Sequence, residues 1–259
     1  MELYWYQYAL IAIVFTWSGF VRSGLGFGGA LFTIPFLLLI HDDPLFFLPI
    51  ISIHLLFFAP LTLLFGKRKA TDSQNQSVTD ANTVNWRFVR FSLAIMLIPK
   101  LAGVVGLIVL PTELMNSIIF LLIAGYSMTY ILGRPLQSSS QTLDVVFLVV
   151  GAYISGTSLV GGPMVIAAAL RHIKPFQFRD TLFVIWTVLV SIKLAAFVWA
   201  GISLNFVAAL YLLPFAGIGH FIGLGAHERL LRQDSKKFYR ILGSILFCAS
   251  GAGLYQVLS

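Results

Sequence analysis

Five ionisable side chains fall inside otherwise apolar stretches of this chain: Arg22, His54, Lys100, Lys193 and His220. A charge in hydrocarbon is costly, so residues of this kind mark binding sites or pathways by default. No Asp or Glu stands clearly at the middle of an apolar stretch, which leaves the interior electropositive. That sign suits a small anion and argues against a carboxylate-built sodium site or an Asp/Glu proton relay. Lys100 and Lys193 have an alternative, because their long stems could carry the ammonium groups to an interface. Arg22 reads either as a ligand contact or as an interfacial or structural pair. His54 and His220 read as hydrogen-bonded core imidazoles or, alternatively, as groups that titrate in proton coupling.

Two glycine-rich interruptions accompany these residues, Ser23-Gly24-Leu25-Gly26-Phe27-Gly28-Gly29-Ala30 and Ser155-Gly156-Thr157-Ser158-Leu159-Val160-Gly161-Gly162. Glycines there permit positive φ and close approach of another backbone or a ligand. Short helices beginning near Gly29 and Gly162 would aim free N–H groups and positive dipole ends at the membrane interior, which favours anions. The hydroxyls of Ser23, Ser155, Thr157 and Ser158 add donors. Small residues also serve close helix packing, and the two uses are compatible. The expected substrate-binding set is therefore Arg22, Ser23, Gly24, Gly28, Gly29, Ser155, Gly156, Thr157, Ser158, Gly161, Gly162, Lys100 and Lys193, with His54 and His220 as candidates for proton coupling.

Enzyme chemistry finds no support. No HExxH, nucleophile elbow, phosphate-binding P-loop or pair of intramembrane aspartates occurs. Asp42-Asp43 precedes Pro44 and reads as a helix cap or break, and Gly24 to Gly29 resembles a dinucleotide fingerprint without the strand that must precede one. The single Cys248 forms no intramolecular disulfide or multi-cysteine metal site and is expected to be a buried small hydrophobe. No metal and no cofactor is expected.

The elements that must position these residues follow from composition. Of 259 residues, 58% are apolar and 10% charged, with a mean hydropathy of +0.90, whereas soluble domains carry about a quarter charged residues. Apolar segments run roughly over 5–22, 27–40, 44–65, 88–109, 113–132, 143–155, 160–170, 178–200, 205–225 and 239–257. The long ones match the ~20 residues that cross a bilayer as a helix, and the alternating strands of an outer-membrane barrel are missing. The fold class expected is an all-α polytopic membrane protein. Although the net charge is +7, the basic residues sit in short loops, which excludes a nucleic-acid face and points to membrane orientation instead. The N-terminus lacks the basic n-region of a cleaved signal peptide. Ala70 to Val84 reads as a polar linker, and Gln137 to Gln141 as the join between two halves.

Lys67, Arg68, Lys69, Arg87 and Arg90, then Arg171, Lys174 and Arg179, then Arg229, Arg232, Lys236, Lys237 and Arg240, mark three loops as cytoplasmic by the positive-inside rule. The loops at His41 to Pro44, Pro111 to Glu113 and Gly201 to Ser203 lack Lys and Arg and should be external, as should both termini. On that topology the pairs 5–40 and 143–170 dip in and return. Each half, 1–136 and 137–259, is then a re-entrant or broken hairpin plus three crossings, an odd number that inverts the second half. The two interruptions correspond at a constant offset of 132. Inverted repeats whose broken helices meet near the midplane are a carrier plan, and the interrupted segments point to the site.

With these residues in view, the chain resembles the sulfite exporter TauE/SafE family of small membrane permeases. The resemblance rests on Ser18-Gly19-Phe20 through Gly28-Gly29-Ala30 and Pro35, and on Ser155-Gly156 through Gly161-Gly162-Pro163, the two copies of a glycine signature followed by proline. Weaker echoes are Trp86-Arg87, Gly103 to Gly106, Gly223 to Glu228 and Phe238 to Leu242. Ala30 and Val160 stand where the pattern has glycine, which implies tighter geometry or a different substrate. The resemblance implies transport, without ATP, of sulfite, a sulfonate such as sulfoacetate, or a related anion across the cytoplasmic (inner) membrane. Its partners would be the small anion, the lipid bilayer and a coupling proton or cation, with no nucleic acid. Alternating access is the expected mechanism; a passive anion channel and a non-transport membrane subunit or enzyme are the alternatives.

Overall fold

The computed structural model describes residues 4–25, 29–72, 83–134, 136–232 and 235–259. Of the linker expected over Ala70 to Val84, the start belongs instead to a helix that runs on to Asp72, and residues 73–82, like 1–3 and Gly28, lie outside the described residues. Ten helices and no strand occur among the described residues: α1 (Trp5–Leu25), α2 (Ile34–Ile40), α3 (Pro44–Asp72), α4 (Trp86–Val109), α5 (Thr112–Ile131), α6 (Gln141–Ser158), α7 (Gly162–Ala169), α8 (Pro175–Trp199), α9 (Phe206–Arg232) and α10 (Ser235–Leu258). Six of them, α3, α4, α5, α8, α9 and α10, are long and apolar enough to cross a membrane.

Helix starts follow local chemistry. Pro44 opens α3, Pro175 opens α8, and prolines fall at the first positions of α2 and α7, where a missing N–H costs nothing. Asp43 caps α3, accepting from the N–H groups of Leu45 at 2.9 Å and Phe46 at 3.2 Å, as the Asp-Asp-Pro run suggests. Asn85 and Ser140 cap α4 and α6 in the same way, accepting from Phe88 N and Leu143 N. The first short helix begins at Ile34, not near Gly29. Residues 30–33 form a turn instead, closed by the Thr33 hydroxyl donating to the Gly29 carbonyl and by Ile34 N donating to Ala30 O at 2.9 Å.

The helix pairs interlock the two halves of the chain. α1 lies along α9 and α6 along α4, so each interrupted hairpin is gripped by a helix from the other half, while α5 packs on α10 and α3 on α8. The first two crossings are close because glycines remove the side chain. A Cβ on Gly219 would run into the Thr16 carbonyl of α1, and one on Gly103 into the Tyr153 carbonyl of α6, the small-residue contact by which membrane helices pack. Phe15, Phe32, Phe47 and Phe120 fill one apolar core, and Leu148, Val165, Leu182 and Ile185 a second between α4, α6, α7 and α8. The outer faces keep Ile98, Val105, Val109, Val207 and Leu210 exposed; hydrocarbon, not water, is the solvent that suits them. Cys248, expected inside, is exposed, because α10 turns its Leu242–Leu246–Ala249 stripe inward and position 248 falls off that stripe.

Both interrupted hairpins return to the end where they began. Gln7 on α1 donates to the carbonyl of Ile40, the last residue of α2, at 2.9 Å. At the base of the second hairpin Arg171 and His172, just past α7, reach Asp144 in the first turn of α6, at 2.6 and 2.8 Å. Asp144 is fully buried, whereas its two partners are each 35% exposed. The asymmetry sets the cost of breaking the clasp. Replacing Arg171 and His172 together strands a buried carboxylate and should cost about 3–5 kcal/mol, whereas Asp144→Ala lets both partners turn to solvent and should cost less. Thermal midpoints in detergent check this: the Arg171→Ala/His172→Ala double variant is expected to melt below Asp144→Ala.

Candidate functional site

α6 stops in the protein interior. Leu159 adopts the left-handed conformation at φ 61°, its N–H bonding back to Ser155 O at 3.1 Å, and Gly161 starts the turn into α7. A left-handed leucine costs about 1–2 kcal/mol, a strain that accumulates at functional sites. The tip is sealed from lipid: Val160 is 1% exposed, and on the facing hairpin Leu31 is 1% and Thr33 0% exposed. Irregular backbone at membrane depth requires this cover.

A cavity of about 60 Å³ lies between the two hairpins, room for a water pair or one small ion. Ser18, Arg22, Gly29 and Ala30 contribute from the first hairpin, Ser155, Leu159, Val160 and Gly162 from the second, and Ile51, Leu55, Phe183, Trp186 and Val190 from α3 and α8 supply apolar walls. Arg22 is its cation. The side chain is 6% exposed, Nε and Nη2 have no hydrogen-bond partner, and the guanidinium carbon lies 4.7 Å from the centre of the Phe58 ring. A buried guanidinium with donors unspent is costly unless an acceptor joins it.

The lysines are deep in the protein, both fully buried, and do not snorkel. Their ammonium groups hold the broken end of α6: Lys100 donates to the carbonyl and the hydroxyl of Ser155, both at 2.9 Å, and Lys193 to Gly156 O at 2.7 Å and Thr157 O at 3.4 Å. They do not line the cavity, but Ser155 connects Lys100 to it. On the other hairpin, Ser23 Oγ meets His220 Nδ1 at 2.5 Å, and the His220 ring lies 4.7 Å from that of Phe58. His54 has Nε2 2.8 Å from Ala209 O, and its ring is edge-on to Phe15 and, at 6.4 Å, to Phe58.

Of the sequence-derived set, the cavity gathers Arg22, Gly29, Ser155 and Gly162. The Thr157 and Ser158 hydroxyls donate to Ile154 O within α6. Gly156 packs on Gly103 of α4, Gly24 on Gly223 of α9, and Gly161 on Gly151 of α6. Sequence reasoning missed Ser18 and the walls from α3 and α8. Ser18 sits one helical turn before Arg22, a spacing that puts both on one face; the wall residues are apolar amid apolar neighbours and carry no such mark.

Six apolar membrane-length helices among the described residues mark a multi-pass membrane protein, with a cation-bearing cavity between its two hairpins. The pattern of the family described as sulfite exporter TauE/SafE matches residues 10–253, and the chain belongs to that family, whose members are transporters. No curated protein matches the chain, nor does any solved structure.

The glycines separate by role in a way that substitution reads directly. A Cβ on Gly161 would strike the Gly151 carbonyl, whereas one on Gly162 meets only Trp186 Cζ2, at 4.0 Å. Gly161→Leu is therefore expected to abolish folded yield, and Gly162→Leu to retain a monodisperse, folded protein whose cavity is filled. Size-exclusion profiles and thermal midpoints of the pair check the assignment.

Proposed function

We propose that this chain is a secondary transporter of a small oxyanion, of the sulfite, sulfonate or sulfoacetate-like class, across the cytoplasmic membrane by alternating access. The observation that carries the reading is the buried Arg22 guanidinium, with two N–H-bearing nitrogens unpartnered, lining a cavity between the hairpin tips. Charge-assisted hydrogen bonds from a guanidinium suit a flat or tetrahedral oxyanion. Ser18, Ser155 and the backbone around Gly29 and Gly162 add polar edges, and Trp186, Phe183, Ile51 and Leu55 exclude water. The TauE/SafE membership supports the substrate class.

A cavity of about 60 Å³ matches the size of one small ion. Inverted repeats are supported by the reciprocal packing, α1 on α9 and α6 on α4, with α5 on α10 and α3 on α8 relating the halves to each other. In this reading one hairpin-bearing unit moves against the other around the bound anion, and the basic loops favour an outside position for both termini. His220, in contact with Ser23 beside Arg22's Phe58 shelf, is the histidine better placed to take part in coupling than His54.

Uptake of radiolabelled sulfite and sulfoacetate into proteoliposomes tests the reading. Saturable flux is expected for the wild type. In Arg22→Leu, at equal folded yield, it should fall about 10- to 100-fold, the loss of one charge-assisted contact of about 1.5–3 kcal/mol. Undiminished saturable flux in that variant would move the site away from the cavity, and absence of flux for every anion would end the transport reading.

A further inference from the structure

The broken end of α6 is a place where backbone carbonyls gather inside the protein. In carriers built on discontinuous helices such carbonyls, at the negative end of a half-helix, are where a dissociable coupling cation is held. Here the position is already filled from the protein's own chain. Lys100 from α4 donates to Ser155 O and Ser155 Oγ, and Lys193 from α8 donates to Gly156 O and Thr157 O, so two ammonium groups cover three consecutive carbonyls. Both side chains are 0% exposed. Phe197 covers Lys193 on a further side, its ring centre 5.3 Å from Nζ. Neither lysine is in an ion pair with a carboxylate among the described residues; the one buried carboxylate among them, Asp144, pairs through Oδ2 with Arg171 and His172 at the other end of α6.

We propose that Lys100 and Lys193 are positioning residues that act together as a resident, covalently tethered cation, standing where a dissociable alkali cation would otherwise hold the broken helix, so that anion movement needs neither sodium nor potassium. The consequence for flux rests on the transport reading given above; the consequence for stability does not. The tether reaches the cavity through Ser155, whose hydroxyl is held by Lys100 and which is itself one of the residues lining the cavity. A helix end fixed by ammonium groups keeps that hydroxyl, and the left-handed turn at Leu159 beside it, in place whether or not the cavity is occupied. Removing either ammonium leaves carbonyls facing a vacancy of about ion size in a closed interior, a site that a small cation from solution can fill.

The test compares wild type, Lys100→Met and Lys193→Met in sodium, potassium, ammonium, methylammonium and choline chloride, by thermal midpoint in detergent and by anion flux in proteoliposomes. Wild-type flux is expected to agree within about twofold across all five salts, with one midpoint. The methionine variants should melt lower and carry less anion, and ammonium or methylammonium should restore both severalfold more than choline, by binding the folded state alone. A drop of about tenfold or more in wild-type flux when choline replaces sodium overturns the proposal, as does a wild-type midpoint that tracks sodium. So do methionine variants that match the wild type, or that respond to the salts as the wild type does. If either variant yields no folded protein, the wild-type salt series still decides the claim. If no anion moves in any medium, the transport reading falls and the midpoints alone judge the tethered cation.

Discussion

A helix that ends inside hydrocarbon leaves up to four carbonyls without intrahelical partners, one that begins there up to four N–H groups, and no water is at hand to take them. The rest of this structure answers that constraint. The carbonyl end of α6 is taken by Lys100 and Lys193, reaching in from α4 and α8. The turn before α2 is closed on itself through Thr33 and Gly29. Val160 at one tip, and Leu31 and Thr33 beside the other, are covered by protein rather than lipid. Each solution needs a helix from elsewhere in the chain to be close, and closeness requires glycine, which is why a Cβ at Gly103, Gly156, Gly219 or Gly223 would meet backbone.

The same constraint gives the interior its charge. Satisfying carbonyls calls for donors, and lysine is a donor that accepts nothing. Two fully buried lysines and one buried arginine then lie inside the bundle, none of them in an ion pair with a carboxylate among the described residues. The lysines are engaged with backbone oxygens; Arg22 keeps Nε and Nη2 unpartnered beside the cavity. The proposed anion would complete this arrangement, in a cavity that Trp186, Phe183 and Leu55 help to wall.

Much of this was legible in sequence. The ten apolar segments correspond to the ten helices among the described residues, and boundaries moved chiefly where helices outran their apolar cores: α3 continues to Asp72 and α9 to Arg232, since polar residues extend a helix beyond hydrocarbon at no cost. Ser155, Gly162, Gly29 and Arg22 were marked by residue type and do meet at one cavity. Thr157 and Ser158 were marked by the same logic yet bond within their own helix, because their hydroxyls lie within reach of Ile154 O. Cys248 faces outward although an apolar environment suits it, since in a membrane protein the outside is apolar too.

By itself the sequence determined that the chain lives in a bilayer, that its interior is electropositive, and that two interrupted segments depart from simple crossings. These are properties of composition and spacing, and no fold can undo them. Only the tertiary structure decided which cation is free and which is engaged. Lys100 and Ser155 are 55 residues apart, Lys193 and Gly156 are 37 apart, and Ser23 and His220 are 197 apart. Whether a buried charge meets a carbonyl or a cavity depends on which helices lie side by side. That pairing is set by glycine contacts and close packing summed over the whole bundle, and no local pattern records it.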